Sequence, residues 1–316
     1  MDQFGNNMKK IGCFFLHLSN DKHKNFQKDN FFSNNSINSF KKWHPEVDII
    51  YITNDNFNNY LKDLEISEYY DHIGVVRIQL IRELFRKKGY DKIIMLGLDT
   101  FTCSYLDEFM DDHDNDMICS SGPPYTFLKT DYWQPKIVEF EHNGFLYQDV
   151  DFINADVVCF NNYETVSLLY DKSIEFWSDH AEQGGMNYLY QNQKDLGIKV
   201  SIVDFPYAKA KSLYNVRSKG IASGGNQMYR GNVYTGNYKD INSSVCSKVY
   251  PTSEYSVIDN KLFTKDNKQI KVFHYAEALG VKTKEEYNET LNEIKNMWFN
   301  QETLKFLTEQ CNCNFN

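Results

Sequence analysis

The run Asp91-Lys92-Ile93-Ile94-Met95-Leu96-Gly97-Leu98-Asp99-Thr100 decides the fold. A short apolar stretch bounded by polar residues is the mark of a strand buried on both faces, as the strands of parallel sheets are. This one ends in a glycine and then a carboxylate. In open α/β sheets ligands bind beyond the carboxyl ends of the strands, so Asp99 stands where such a sheet does its chemistry.

The segments before it repeat the pattern. Ile11 to Leu18 reads as a buried strand, Ser33 to Trp43 as a helix with Ile37, Phe40 and Trp43 inward, and Val47 to Thr53 as a second strand. Ile73 to Phe85 is an amphipathic helix with Val76, Leu80 and Leu84 on one face. Strands alternating with helices at this spacing predict a mostly parallel mixed sheet flanked by helices. Its carboxyl edge would gather His17, Leu18, Ser19 and Asn20, then Thr53 to Asp55, then Gly97 to Thr100.

After residue 105 the pattern is more mixed. Met117 to Ser120, Ile153 to Phe160, Ile198 to Val203 and Lys271 to His274 read as strands, and Ser167 to Trp177 and Met186 to Gln193 as helices. Lys219 to Gly236 reads as a Gly-rich loop, and Lys284 to Gln310 as a carboxy-terminal helix with Leu291, Ile294, Trp298, Leu304 and Leu307 as its stripe. The absence of an internal repeat or long linker favours one domain over residues 1–316. Its expected parts are residues 8–105, residues 106–280 and a helical segment over 283–311.

Composition bounds the function. The 316 residues are 41% hydrophobic and 16% aromatic, enough for a sizeable core. A formal charge of −9 argues against a chain whose main business is gripping nucleic acid. No stretch of about twenty apolar residues is present, so no membrane-spanning helix is expected. The first residues lack the apolar core of a secretory signal. The seven cysteines are scattered, as in a reducing compartment, and a cytoplasmic location is expected. Cys311-Asn312-Cys313 has the wrong spacing for a zinc knuckle.

Asp99, an ionised carboxylate directly after a buried strand, is placed to hold a divalent cation by its oxygens; a turn or helix-cap aspartate is the competing reading. His274, closing a later apolar strand, reads as a ligand or as a buried, satisfied histidine. Glu182 and Gln183 read as site residues or as a solvated helix start, with Gly184-Gly185 as a turn. Asp111-Asp112-His113-Asp114 reads as a solvated acidic loop. Ser223-Gly224-Gly225-Asn226 carries glycines able to approach a phosphate, or forms a flexible lid.

The order of these pieces resembles a known family. Arg77-Ile-Gln-Leu-Ile-Arg-Glu-Leu-Phe85, the run 91–100, Tyr105-Leu-Asp-Glu-Phe109, Phe152-Ile-Asn-Ala-Asp-Val-Val-Cys-Phe160, Glu182-Gln-Gly-Gly-Met-Asn187 and Val272-Phe-His-Tyr275 resemble, in sequence order, the glycogenin-like and bacterial galactosyltransferase-like retaining glycosyltransferases of GT-A fold. The resemblance implies a Rossmann-like GT-A sheet and transfer of a sugar from a nucleotide-diphosphate donor, by default a UDP-sugar, to a glycan or other hydroxyl acceptor. It further implies retention and assistance from Mn²⁺ or Mg²⁺. It casts Asp99 and His274 as metal ligands, Arg77 near the diphosphate, and Asn154 and Ala155 along the sugar pocket. Gln183 and Glu182 would lie at the reacting face of the donor sugar. The end of the first strand and Tyr51 to Asp55 would hold base and ribose, with Gly97 and Leu98 beside them.

The departures are specific. Gly97 stands where the family has the first Asp of Asp-x-Asp, Asp156 where it has Gly, and Gly184 where it has the second Asp of Asp-Gln-Asp. Asp156 is the candidate base should the reaction invert. A relative that binds sugar nucleotide or glycan without metal or without turnover is the alternative.

Overall fold

The computed structural model describes residues 9–18, 31–69, 72–121, 140–142, 145–147, 153–175, 181–203, 207–209, 229–234, 249–251, 254–274, 292 and 299–315. Its strands are β1 (Ile11–His17), β2 (Asp48–Thr53), β3 (Lys92–Leu96), β4 (Thr100–Thr102), β5 (Met117–Ser121), β6 (Phe140–His142), β7 (Phe145–Tyr147), β8 (Ile153–Phe160), β9 (Val200–Val203), β10 (Tyr207–Lys209), β11 (Tyr229–Tyr234), β12 (Val249–Pro251), β13 (Ser256–Ile258), β14 (Lys261–Phe263) and β15 (Val272–His274). The helices are α1 (Phe31–Trp43), α2 (Phe57–Asp63), α3 (Ile73–Lys88), α4 (Asp107–Met110), α5 (Tyr163–Glu175), α6 (Ala181–Leu196) and α7 (Gln301–Glu309).

Six strands form the main sheet in the order β2-β1-β3-β8-β5-β9. The pairs β2–β1, β1–β3 and β5–β9 are parallel, whereas β8 runs antiparallel to both β3 and β5. The architecture is therefore the expected Rossmann-like mixed sheet flanked by helices, with one reversed strand at its centre. That reversal carries the start of β8 to the edge where the other five strands end.

Alternation of side chains across the strands explains why every central strand reads as continuously apolar. Phe14, Ile93, Met95, Val158 and Cys119 fill one core with Val76, Leu80 and Leu84 of α3 and Leu169 of α5. Cys13, Phe15, Ile94, Leu96, Val157 and Cys159 fill the other, with Phe40 of α1. A smaller sheet, β12-β10-β11-β15-β4, ends on β4, the strand that follows Asp99. Phe101, Phe273, Phe299, Phe306 and Leu307 pack there with Cys103, Cys311 and Cys313. The cysteines among the described residues are all buried and free, so the terminal Cys-x-Cys works as core.

Three expectations need correction. The helix expected over Lys284 to Gln310 does not run through unbroken: Asn300 is an extended N-cap, its side chain accepting from Thr303 N, and α7 begins after it. Tyr229–Tyr234, expected within a loop, is a strand paired with both β10 and β15; Gly231 and its polar neighbours hide it from any periodicity test. Ser223-Gly224-Gly225-Asn226 lies outside the described residues. Finally, of the expected stripe α1 fully buries only Phe40, with Ile37 and Trp43 packed half-buried against the cores. Its inner face is Phe32, Ser33, Asn35, Ser36, Ser39 and Phe40, because small hydroxyls there bond the backbone of the turn after β3.

His44, just past α1, has a role that its position alone does not announce. It is fully buried, stacked between Phe40 and Tyr105 at 4.6 Å from each ring, and its Nε2 accepts from Leu106 N at 3.2 Å. Burial depresses its pKa to about 4; Glu46, 3.9 Å away and half exposed, is too well solvated to offset that. The neutral ring is the folded form, so its contribution is complete above the unfolded value near 6.5 and is lost as pH falls toward about 4. Urea midpoints measured from pH 7.5 to 4.5 should fall less steeply for His44→Gln than for the parent. The difference should approach roughly 3 kcal/mol at the acid end, and parallel curves would overturn the assignment.

Candidate active site

The site is built where three strands converge. Gly97-Leu98-Asp99 turns the chain from β3 into β4, and hydrogen bonds hold the turn closely. Gly97 N donates to Asp156 O at 2.8 Å, and Thr100 Oγ1 and Ser36 Oγ donate to Gly97 O at 2.8 and 3.1 Å. Ser39 Oγ accepts from Thr102 N at 3.0 Å one step along. β15 then pairs with β4 so that His274 stands opposite Thr100. β8 pairs with β3 so that Val157 faces Leu96, which sets Asp156 level with Gly97.

Asp99, Asp156 and His274 meet at this point. His274 Nε2 lies 3.4 Å from Asp99 Oδ1 and 3.5 Å from Asp156 Oδ2. Asp99 and His274 are buried, and the Asp156 side chain is 31% exposed, so the cluster opens toward solvent on the Asp156 side. Burial raises the Asp99 pKa against the attraction of His274. Burial alone would lower that of His274, but Asp99 and Asp156 outweigh it and the net shift is upward. Among the described residues no group of three His, Cys, Asp or Glu side chains is placed to hold a metal ion as it stands; His274 Nε2 is instead ion-paired with both carboxylates. The donor set, two carboxylates and an imidazole, is nevertheless that of a hard divalent cation such as Mn²⁺ or Mg²⁺.

A second charged pair sits beside the first. Arg77 of α3 approaches Glu182 of α6 at 3.5 Å, with the side chains 19% and 12% exposed. The Glu182 carboxylate rests directly on Gly74, where any Cβ would overlap it. Burial raises the Glu182 pKa, Arg77 counters it, and Asp156 is near enough to push it upward again. Ala181, immediately before, holds a φ of +36°, a conformation that costs a non-glycine residue of order 1–3 kcal/mol and is commonest at functional sites. Asn187 ties this helix end to β8: its Oδ1 accepts from Ile153 N at 3.2 Å and its Nδ2 donates to Gln183 O at 2.7 Å.

The expected site residues therefore divide. Asp99, His274, Asp156, Gly97, Arg77 and Glu182 are linked as described. Gln183 lies in the first turn of α6, its Nε2 3.5 Å from Ile153 O. His17 and Tyr51, from β1 and β2, form a separate contact, with Nδ1 and the hydroxyl 3.2 Å apart. Leu98 and Ala155 are buried, their side chains packed in the two cores. Asp55 is exposed and Leu18 half-buried, while Ser19 and Asn20 lie outside the described residues, as does the Asn154 side chain. Gly184 and Gly185 are no turn: they are buried inside α6, and a Cβ on Gly185 would lie 2.9 Å from Leu169 Cδ1 of α5. Asp112 accepts from Asp114 N and Asn115 N at 2.9 and 3.0 Å, the turn chemistry expected of that acidic loop. Ser36 and Ser39 are not singled out by the sequence pattern; their one signal is their spacing of one helical turn on a polar helix, which lets both reach the chain around the Gly97-x-Asp99-Thr100 turn.

No family model matches the chain, and no curated protein is similar to it in sequence. Solved structures similar to parts of it include a glycosyltransferase involved in glycosylation of the major capsid of PBCV-1, at 12% identity and TM-score 0.38 over 62% of this chain and 81% of that one. The glycosyltransferase GlyE of Streptococcus pneumoniae TIGR4 is similar at 14% identity and TM-score 0.37 over 62% of this chain, which spans only 45% of GlyE. A nucleoside-diphosphate-sugar pyrophosphorylase from Vibrio cholerae RC9 is similar at 15% identity and TM-score 0.37, over 60% and 91%. Likenesses at this level decide nothing about activity, and two chemistries stand side by side among them. Among the described residues no helix is long and apolar enough to cross a membrane.

Proposed function

We propose that the chain is a glycosyltransferase that moves a sugar, by default from a UDP-sugar, to a hydroxyl acceptor with retention and with help from Mn²⁺ or Mg²⁺. One observation carries this reading: Asp99 in the turn after β3, Asp156 in the first half of the reversed β8 and His274 at the end of β15 converge at the carboxyl edge of the sheet.

In this reading Asp99 and His274 hold the cation, which when bound offsets the charge that grows on the departing diphosphate. Arg77 supplies the neighbouring positive charge, held in place by Glu182. Glu182 and Gln183, fixed by the Asn187 bonds to β8, present carboxylate and amide to the donor sugar. His17 and Tyr51 close the far side of the edge, where a base and ribose would lie. Much of the rate would come from positioning, since held reactants avoid the entropy cost of meeting. A cytoplasmic setting and a single catalytic domain belong to the same proposal.

The test is nucleotide release from a panel of UDP-, GDP- and dTDP-sugars with and without Mn²⁺, run beside thermal shifts with the same compounds. Mn²⁺-dependent release from one donor supports the reading. Stabilisation by a sugar nucleotide without release would favour a binding protein. No release and no shift with any of them would overturn the proposal.

A further inference from the structure

Gly97 and Asp156 belong together. The positive-φ glycines among the described residues are Gly89 and Gly197, so Gly97 does not need to be glycine for its backbone conformation. Space, and not φ, is what favours glycine there. A Cβ on Gly97 would lie 3.0 Å from Asp99 Oδ1 and 3.1 Å from both Cβ and Oδ1 of Asp156. A side chain leaving the main chain at 97 and the side chain that does leave it at 156 would thus compete for one volume, and Asp156 has it.

That volume faces the imidazole. Asp99 and Asp156 flank the same atom, His274 Nε2, at 3.4 and 3.5 Å. Neighbouring donors around an octahedral ion, each bonded at about 2.1 Å, lie roughly 3.0 Å apart. Each carboxylate oxygen is thus within about half an ångström of that spacing from the imidazole nitrogen. Asp156 is also the most exposed of the three, so it stands at the mouth by which an ion and a diphosphate would enter.

We infer that Asp156 is a third protein ligand of the divalent cation held by Asp99 and His274, its carboxylate delivered from the reversed strand β8 into the space that Gly97 leaves open. The inference rests on the metal-site reading of Asp99 and His274. It changes what the site demands: the carboxylate is displaced to another strand and not missing, and positions 97 and 156 form one unit that tolerates a single carboxylate.

The experiment is Mn²⁺ titration of the full chain by calorimetry, with no nucleotide present, for the parent, Asp99→Asn, Asp156→Asn, Gly97→Asp and the double variant Gly97→Asp/Asp156→Gly. Circular dichroism checks that each is folded. Asp156→Asn, which keeps the shape of the side chain, should weaken Mn²⁺ binding by on the order of tenfold or more. Asp99→Asn should do so at least as strongly. The double variant, which moves the carboxylate from one strand to the other, should recover most of the affinity, and Gly97→Asp alone should not improve on the parent. Parent-like binding by Asp156→Asn alongside loss in Asp99→Asn would overturn this inference and leave the metal reading standing. Absence of Mn²⁺ binding in the parent would overturn both.

Discussion

Replacing Asp99 by Ala is expected to lower kcat for sugar transfer by on the order of 10²–10³-fold, the usual cost of removing a group that stabilises charge developing in a transition state. The carboxylate is buried and directed at His274 Nε2 from the turn that β3 feeds. Asp156 stays on the same nitrogen at 3.5 Å in the variant, so His274 keeps a partner and the fold should survive. The measurement is steady-state release of nucleotide from the donor identified in the panel, with Mn²⁺ saturating for the parent. Full activity in Asp99→Ala would remove Asp99 from the site, whatever the fold resembles.

That residue could be read in advance because one apolar strand and one carboxylate stood side by side in the chain. The same holds for the main sheet. β1, β2, β3, β5 and β8 are short apolar runs whose alternate side chains fill two cores, a pattern that survives in one dimension. The reversed direction of β8 is not legible that way, since an apolar run reads alike in either direction. That direction is what brings Asp156 to the site. The pairing of Asp156 with Gly97 therefore depends on sheet register, which links residues 59 positions apart and leaves no periodic trace.

Other parts of the site were hidden by chemistry and not by distance. Ser36 and Ser39 look like surface residues of a polar helix, yet they are buried because they bond the Gly97 carbonyl and the Thr102 amide. Gly184 and Gly185 resemble a turn because glycine in a helix carries a propensity cost of about 1 kcal/mol. Here α5 packs close enough that a side chain at Gly185 would meet Leu169 and Ser173. In each case tertiary contact overrides the local preference that a sequence displays.

The largest effect on stability is expected at Lys92, the first residue of the strand that carries the site. It is 2% exposed, and its ammonium donates to the carbonyls of Phe109, Met110 and Asp112, the last two at 3.3 and 2.8 Å. It thereby serves the end of α4, where carbonyls lack helical partners. Lys92→Met keeps the length and apolar stem but removes the charged donor, leaving buried carbonyls without it at about 1–3 kcal/mol each. The loss should total about 3–5 kcal/mol, a large fraction of the 5–15 kcal/mol typical of folded proteins. For a chain of this length that corresponds to a fall in Tm of roughly 5–8 °C. Because Lys92 opens β3 and Asp99 lies beyond its far end, Mn²⁺ affinity measured well below the new Tm should change little. A variant that kept the parent Tm would show that the three carbonyls are satisfied without the ammonium. One that lost metal binding while still folded would show that the two ends of β3 are coupled.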